Sequence, residues 1–299
     1  MADLPFQTVD VFTDRMFGGN PLAVVLDGRG LTTERMQSIA REFNYSETTF
    51  ILPPDNAANT AKVRIFTPGI EVPFAGHPNV GTAFVLSRLG EIFGKRVKTP
   101  LLFEEKAGLV AVDVDRLGKA TVTAPQSLSI GDTVEAERVA PCLSLDVADI
   151  AIERHVPTVA SVGLPFLMAE AASRDALIRA RIDVRAFKEN VPLDVAAGIH
   201  LYFHADESDE VDVRARMFSP IDGVGEDPAT GSANAALVGL LAALDPLPDM
   251  TLEIRIAQGV EMGRPSLLEA KAIKESNRVA ETRIGGYSVP VMSGTFHVA

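Results

Sequence analysis

Two apolar runs, each opened by the same short motif, constrain this chain more than any other feature. The first follows His77-Pro78-Asn79-Val80-Gly81-Thr82-Ala83 and continues through Phe84-Val85-Leu86 to Leu89. The second follows Gly225-Glu226-Asp227-Pro228-Ala229-Thr230-Gly231-Ser232-Ala233-Asn234 and runs from Ala235 to Leu244 with almost no polar side chain. At one constant spacing His77 falls on Asp227, Pro78 on Pro228, Gly81 on Gly231 and Ala83 on Ala233. A helix that is apolar on every face belongs in the middle of a core, and neither run is long enough to cross a bilayer. Two buried central helices are therefore expected, one in each half.

The repeat reaches further upstream. Arg64-Ile65-Phe66-Thr67-Pro68 precedes the first copy and Arg216-Met217-Phe218-Ser219-Pro220 the second, at a spacing two residues longer, which implies a two-residue indel between Pro68 and His77. Copies so far apart are duplicated domains rather than the short units of a solenoid. The first-turn N–H groups of each helix lack intrahelical partners and form an anion site. Two such mouths in one chain could grip one carboxylate substrate.

The charge balance sharpens that expectation. The chain has 299 residues and a formal net charge of -12, so phosphate backbones and anionic lipid would repel it, and neither nucleic acid nor a membrane is an expected partner. An anionic substrate would need a local device to hold it, and paired helix N-termini are one. A hydrophobic fraction of 46% excludes disorder, and the length suits two domains. The single cysteine, Cys142, excludes an internal disulfide and a zinc-type cluster, and no metal site is expected. The opening Met-Ala-Asp-Leu-Pro-Phe lacks the regions of a secretion signal, so a cytoplasmic protein is expected.

Along the chain, Phe6–Phe12 alternates like a strand and Leu22–Leu26 is a second, apolar strand after the turn Gly19-Asn20-Pro21. Thr32 or Thr33 caps a helix whose apolar face is Met36, Ile39, Ala40 and Phe43. Tyr45–Leu52 is β-rich, and Glu47 within it is either exposed at the strand end or partly buried as a proton carrier. Composition alone favours the exposed alternative. Lys62–Thr67 reads as a strand and Leu101–Glu105, Leu109–Asp115 and Lys119–Thr123 as a meander; Pro125–Asp132 reads as a linker. The second half repeats the order, with Gly163-Leu164-Pro165 echoing Gly19-Asn20-Pro21. The expected fold class is α+β: two pseudo-symmetric domains, each a curled, mostly antiparallel sheet around a central helix. The domains are expected at 1–124 and 131–285, with a last strand, about 286–299, returning to the first.

His77 and Asp227 stand at matching points of the aligned motif. Were the halves to face each other, an acid and a base would approach one carbon from opposite sides, as proton abstraction and return require. Each also has a structural reading, Asp227 as a helix cap and His77 as a packed core side chain.

Ser46-Glu47-Thr48-Thr49-Phe50, Ala75-Gly76-His77-Pro78-Asn79-Val80-Gly81-Thr82-Ala83, Gly225–Ala233, and Gln258-Gly259 with Met262-Gly263-Arg264-Pro265-Ser266 together resemble the PhzF-like family of phenazine biosynthesis, which shares the diaminopimelate epimerase fold. The resemblance spans nearly the whole chain in order. It implies an active site in the cleft between two similar domains, no cofactor, usually a homodimer, and isomerisation of a small carboxylate-bearing molecule. Carried over by motif, Glu47 is the general acid/base, with His77, Asp227 and Ser232 lining the site. Gly76 and Gly231 give backbone room at the helix mouths, and Asn79, Gly81, Thr82 and Thr230 complete the substrate-binding set. Related epimerases use a thiol pair, but Ala75 stands where the first thiol would be and Cys142 lies outside both motifs. Two other readings are a silent ligand-binding or regulatory protein of the same fold and a one-base epimerase of an amino or hydroxy acid.

Overall fold

The computed structural model describes residues 2–191, 195–206, 209–220 and 225–298. The chain divides into two compact units, one made of Met1–Pro125 with Gly285–Ala299 and the other of Gln126–Ile284. No helix among the described residues is long and apolar enough to cross a membrane.

In the first unit the strands Ser288–Val298, Ala2–Val11, Asn20–Val25, Glu47–Leu52, Ala61–Phe66, Leu101–Glu105, Gly108–Val114 and Ala120–Thr123 lie side by side in that order. Successive pairs run antiparallel, antiparallel, parallel, antiparallel, parallel, antiparallel, antiparallel. The helix Gly76–Leu89 packs on the strands Ala2–Val11, Asn20–Val25, Gly108–Val114 and Ala120–Thr123. Its residues Gly76 to Leu86 are all buried, so the sheet wraps it. The helix stops where Gly90 takes a left-handed φ of 72° and its N–H closes on the Leu86 carbonyl, a conformation a side chain would oppose.

The second unit repeats this plan. Ser129–Thr133, Thr158–Ser161, Pro165–Ala171, Ile199–His204, Val213–Ser219, Met250–Gln258 and Ser266–Glu275 pair antiparallel, antiparallel, parallel, antiparallel, parallel and antiparallel, and Arg278–Gly286 joins the last of them. Its helix, Gly231–Leu244, is built of Ala and Leu, strong helix formers, and ends at Asp245, where the following Pro246 disfavours another helical residue. The stretch expected as a linker is partly structured: Ser129–Thr133 is a fully exposed edge strand paired with Thr158–Ser161. Its polarity marks an edge rather than a flexible joint.

Strand register makes the duplication residue-specific and corrects the alignment. Arg64 and Arg216 hold the same place, each the fourth residue of its strand. Phe66 pairs with Glu71 and Phe218 with Glu226, so the two glutamates correspond and Val72 corresponds to Asp227. The N-caps are Ala75 and Thr230, and both 14-residue helices start with glycine, Gly76 and Gly231. The repeated motif is therefore Glu71-x-Pro73-x-x-Gly76-x-x-Asn79 against Glu226-x-Pro228-x-x-Gly231-x-x-Asn234. His77 corresponds to Ser232 and not to Asp227, and the indel adds three residues to the second copy. The glycine match of 81 to 231 is coincidental: Gly231 opens its helix, whereas Gly81 lies inside one.

An Arg–Glu clamp is duplicated with the motif. Arg64 Nε and Nη2 donate to Glu71 at 2.8 and 2.7 Å, and Arg216 Nε and Nη2 to Glu226 at 2.8 and 2.9 Å. Each guanidinium also lies over a ring two residues along its strand, Phe66 or Phe218. The fork geometry ties the segment leading into each core helix to the neighbouring strand.

Candidate functional site

In the first unit the sheet and the helix start converge on three polar side chains. Glu47 opens its strand, His77 lies in the first turn of the helix, and Asn20 begins the strand Asn20–Val25. His77 Nδ1 is 3.2 Å from Glu47 Oε2 and 3.4 Å from Asn20 Nδ2. Asn20 is fully buried and His77 nearly so, while the Glu47 side chain keeps 18% exposure although its Oε2, the oxygen facing His77, is buried. The exposed alternative for Glu47 is thereby set aside.

Burial pushes the His77 pKa down to about 3, against a smaller upward pull from the Pro21 carbonyl. The ring is therefore neutral at physiological pH, and its contact with Glu47 is a hydrogen-bonding relation between a neutral imidazole and a carboxyl group. Ala75 has no polar side chain, and no side-chain bond caps the helix start beside His77, where the N–H groups of Gly76 and His77 lack partners from within the helix.

Other residues of the expected set have internal tasks. Gly81 packs on the sheet, where a Cβ would meet Leu22 Cδ2 at 2.6 Å and Val11 Cγ2 at 2.7 Å. Thr82 is fully buried and shares a 2.9 Å hydrogen bond with Thr49. Substrate contact has no support at either position. Asn79 Nδ2 donates to the Ala75 carbonyl at 3.0 Å, closing the first turn from inside.

In the second unit Asp227 Oδ2 accepts a 2.5 Å bond from the Thr230 hydroxyl. Asp227 ends a short strand, and the N-cap position belongs to Thr230, so the capping reading of Asp227 does not hold. Ser232 is partly exposed in the first helical turn, and Gly231 is buried. Gln258, fully buried, braces this helix start: its Nε2 donates to the Asp227 carbonyl at 2.7 Å and its Oε1 accepts from Asn234 at 2.7 Å and from the Thr230 N–H at 3.2 Å. Ser266 Oγ donates to the Pro228 carbonyl at 2.9 Å, and a Cβ on Gly259 would lie 2.6 Å from that oxygen. The Gln258-Gly259…Ser266 motif thus clamps the entry to the helix.

Among the described residues the second unit has no counterpart of the Asn20–Glu47–His77 group. By register Leu164 stands for Asn20, Gly198 for Glu47 and Ser232 for His77. A Cβ at Gly198 would lie 2.2 Å from the Phe218 carbonyl oxygen, so that position admits no side chain. Sequence reasoning missed Asn20, Gln258 and Asn234; the Glu-x-Pro-x-x-Gly-x-x-Asn repeat would have found the last. Cys142 is buried, and burial raises its thiol pKa to about 11, as suits a core side chain rather than a nucleophile. Among the described residues no group of three or more His, Cys, Asp or Glu side chains is placed to hold a metal ion.

Comparison with known proteins agrees with this architecture. Residues 9–294 match the model of the family described as phenazine biosynthesis-like protein. The chain is 38% identical over 296 residues to an uncharacterised isomerase of Mesorhizobium japonicum, covering 97% of each. It is 35% identical over 296 residues to trans-2,3-dihydro-3-hydroxyanthranilate isomerase of Pseudomonas chlororaphis, covering 96% of this chain and 97% of that one. A solved structure of a PhzF-family phenazine biosynthesis protein from Bacillus anthracis matches with TM-score 0.89 at 26% identity, covering 100% of both chains.

Proposed function

The chain belongs to the phenazine biosynthesis-like protein family and is an isomerase, and on that premise we propose that it moves a proton within a small, unsaturated carboxylic acid, with Glu47 as general acid and base. The observation that carries this reading is the 3.2 Å approach of Glu47 Oε2 to His77 Nδ1 at an uncapped helix start. The vacant counterpart position, Gly198, supports a one-carboxyl scheme in which the group that removes the proton also returns it.

In this scheme the first-turn N–H groups of Gly76–Leu89 hold the substrate carboxylate. Glu47 takes a proton from a carbon next to the unsaturated system, and the C–H electron pair enters that system. The protonated Glu47, whose carboxyl proton exchanges with solvent, then delivers a proton to another carbon of the conjugated anion, so the product is an isomer and the enzyme returns to its starting state. In the tautomer protonated on Nε2, His77 Nδ1 accepts the Glu47 hydroxyl while the proton is in transit, and the Asn20 amide offers Nδ1 a donor once it has left. In the second unit, Ser232, Gly231, Asp227 and Thr230 are proposed as the corresponding anion-binding helix start. No cofactor takes part in this scheme.

The test uses trans-2,3-dihydro-3-hydroxyanthranilate and related unsaturated carboxylic acids in deuterated water. Deuterium at a carbon distant from the one that lost hydrogen reports isomerisation, and label at the original carbon with inversion reports epimerisation. Glu47→Gln should slow incorporation by about 10² to 10⁴-fold. A Glu47→Gln protein that turns over within a few-fold of wild type would remove Glu47 from the role.

A further inference from the structure

Glu105 ends the strand Leu101–Glu105, whose inward-facing residues Leu101 and Phe103 are fully buried, and both its carboxyl oxygens are sealed from solvent with no hydrogen-bond partner. The Asn79 amide lies against it, and Asn79 Oδ1 is likewise buried without a partner. Register identifies what stands here in the other unit. Ala61 pairs with Phe103 and Val213 with Ile256, and Ala61 corresponds to Val213, so Glu105 corresponds to Gln258. The partner of Gln258 is Asn234, the counterpart of Asn79, and each asparagine donates to the carbonyl of its own N-cap, Ala75 or Thr230.

We propose that Glu105 works as an un-ionised carboxylic acid doing in the first unit what the Gln258 amide does in the second: a positioning residue that holds the helix turn carrying His77, and releases it on ionising. A carboxylic acid and a primary amide share a shape, each with one acceptor oxygen and a donor on the other arm. The Gln258 pattern transfers directly. On this pattern the acid's hydroxyl would donate to the chain before the helix, and its carbonyl oxygen would accept from the Asn79 amide that lies against it. A carboxylate keeps only acceptors and cannot make the first bond. Burial, opposed by the Asn79 amide, raises the Glu105 pKa to about 8, which agrees with the neutral form prevailing below that pH.

The charged or titratable groups on the surrounding elements are Glu104 on the same strand, Lys106 next to it, Lys62 and Arg64 on the paired strand, and Asp113 on the other neighbour. Glu71 lies on the short strand before the helix, and His77 and Arg88 are on the helix itself. Most are engaged elsewhere: Glu71 takes Arg64 and Lys106, Lys62 takes Asp55, and Glu104 takes Asn56 and Asn59. None of them enters the causes of the Glu105 shift, so its ionisation is governed by burial and Asn79.

The consequence for catalysis rests on the proton-transfer reading above, but the first two measurements need no substrate. Wild type, Glu105→Gln and Glu105→Ala are compared by urea denaturation from pH 5 to 8, and by amide hydrogen exchange at Asn79 and Val80 from pH 7 to 9.5. The native acid keeps a proton that the unfolded chain loses above pH 4.5, so wild type should lose stability relative to Glu105→Gln as pH rises, up to about tenfold in the unfolding constant per pH unit. Protection at Asn79 and Val80, corrected for intrinsic exchange, should fall above about pH 8 in wild type and stay level in Glu105→Gln, with Glu105→Ala weakly protected throughout. With a turned-over acid in hand, wild-type kcat should fall on the same alkaline limb and Glu105→Gln should not. Parallel pH dependence of wild type and Glu105→Gln, or a Gln variant as poorly protected as Ala, overturns the proposal. The expected exchange pattern with no turnover of any acid would count against the proton-transfer reading alone.

Discussion

Glu47 and Gly198 occupy the same register position in the two units, yet a Cβ at 198 would lie 2.2 Å from the carbonyl oxygen of Phe218. The backbone that presents a carboxyl group in one unit closes over the equivalent point in the other. Gly198→Ala should therefore cost about 3 kcal/mol or more, because the obstruction is main chain and cannot rotate aside. Glu47→Gln should shift stability by less than about 1 kcal/mol. Urea midpoints decide this: a Gly198→Ala protein as stable as wild type would mean that the second unit tolerates a side chain there, and that its lack of an acid is not imposed by packing.

Two buried imidazoles set the acid limit of the fold. Burial lowers the His77 pKa to about 3 and the His200 pKa to about 4, the latter against a small upward pull from Asn234. Between pH 6.5 and those values the unfolded chain binds protons that the native chain refuses, so stability falls as the pH drops through this window and is flat above it. Each residue should contribute up to about 1.4 kcal/mol per pH unit. Denaturation of wild type and His77→Asn at pH 6.5, 5.5 and 4.5 should show the shallower slope in the variant. Imidazole resonances of His77 that shift between pH 7 and 5 in the native protein would contradict it.

The paired Arg–Glu clamps should differ in worth. Arg216 is 3% exposed and also donates through Nη1 to the Leu177 and Ala180 carbonyls at 2.9 and 2.8 Å, finishing the helix Arg174–Arg179. Arg216→Met leaves Glu226 and the Leu177 carbonyl without this donor, while Ala180 keeps the Arg181 guanidinium at 2.7 Å, and should cost about 3 to 5 kcal/mol. Arg64 is 20% exposed, and Lys106 still meets Glu71 at 2.7 Å once it is gone, so Arg64→Met should cost roughly 1 to 2 kcal/mol. Equal losses in the two variants would show that burial does not set the difference.

Much of the plan was legible because the core is written in long apolar words. The unbroken run from Ala235 to Leu244 could only be a buried helix, and Leu101–Glu105 came out with its bounds intact because a short apolar run, Leu101-Leu102-Phe103, passes into charged residues before the Ala107-Gly108 turn. The alignment of the halves failed where matching letters stood in unlike surroundings: Gly81 and Gly231 agree in type, but one packs against Leu22 and Val11 and the other opens a helix. Strand pairing, which spacing does not encode, supplied the true register. Asn20 and Gln258 stood in recognised motifs, but their roles were not legible for the same reason, since each gains its role from residues distant in sequence, His77 for one and Asn234 for the other. The linker misreading at Ser129–Thr133 came from polarity, which an edge strand and a loop share.

The strand Ser288–Val298 lies along Ala2–Val11 over nearly its whole length. During synthesis the first unit therefore waits, one flank of its opening strand unpaired, until the ribosome has made all of the second. The half bearing Glu47 is begun first and finished last, so a polypeptide cut short before residue 288 exposes a sticky ribbon edge instead of a working catalyst.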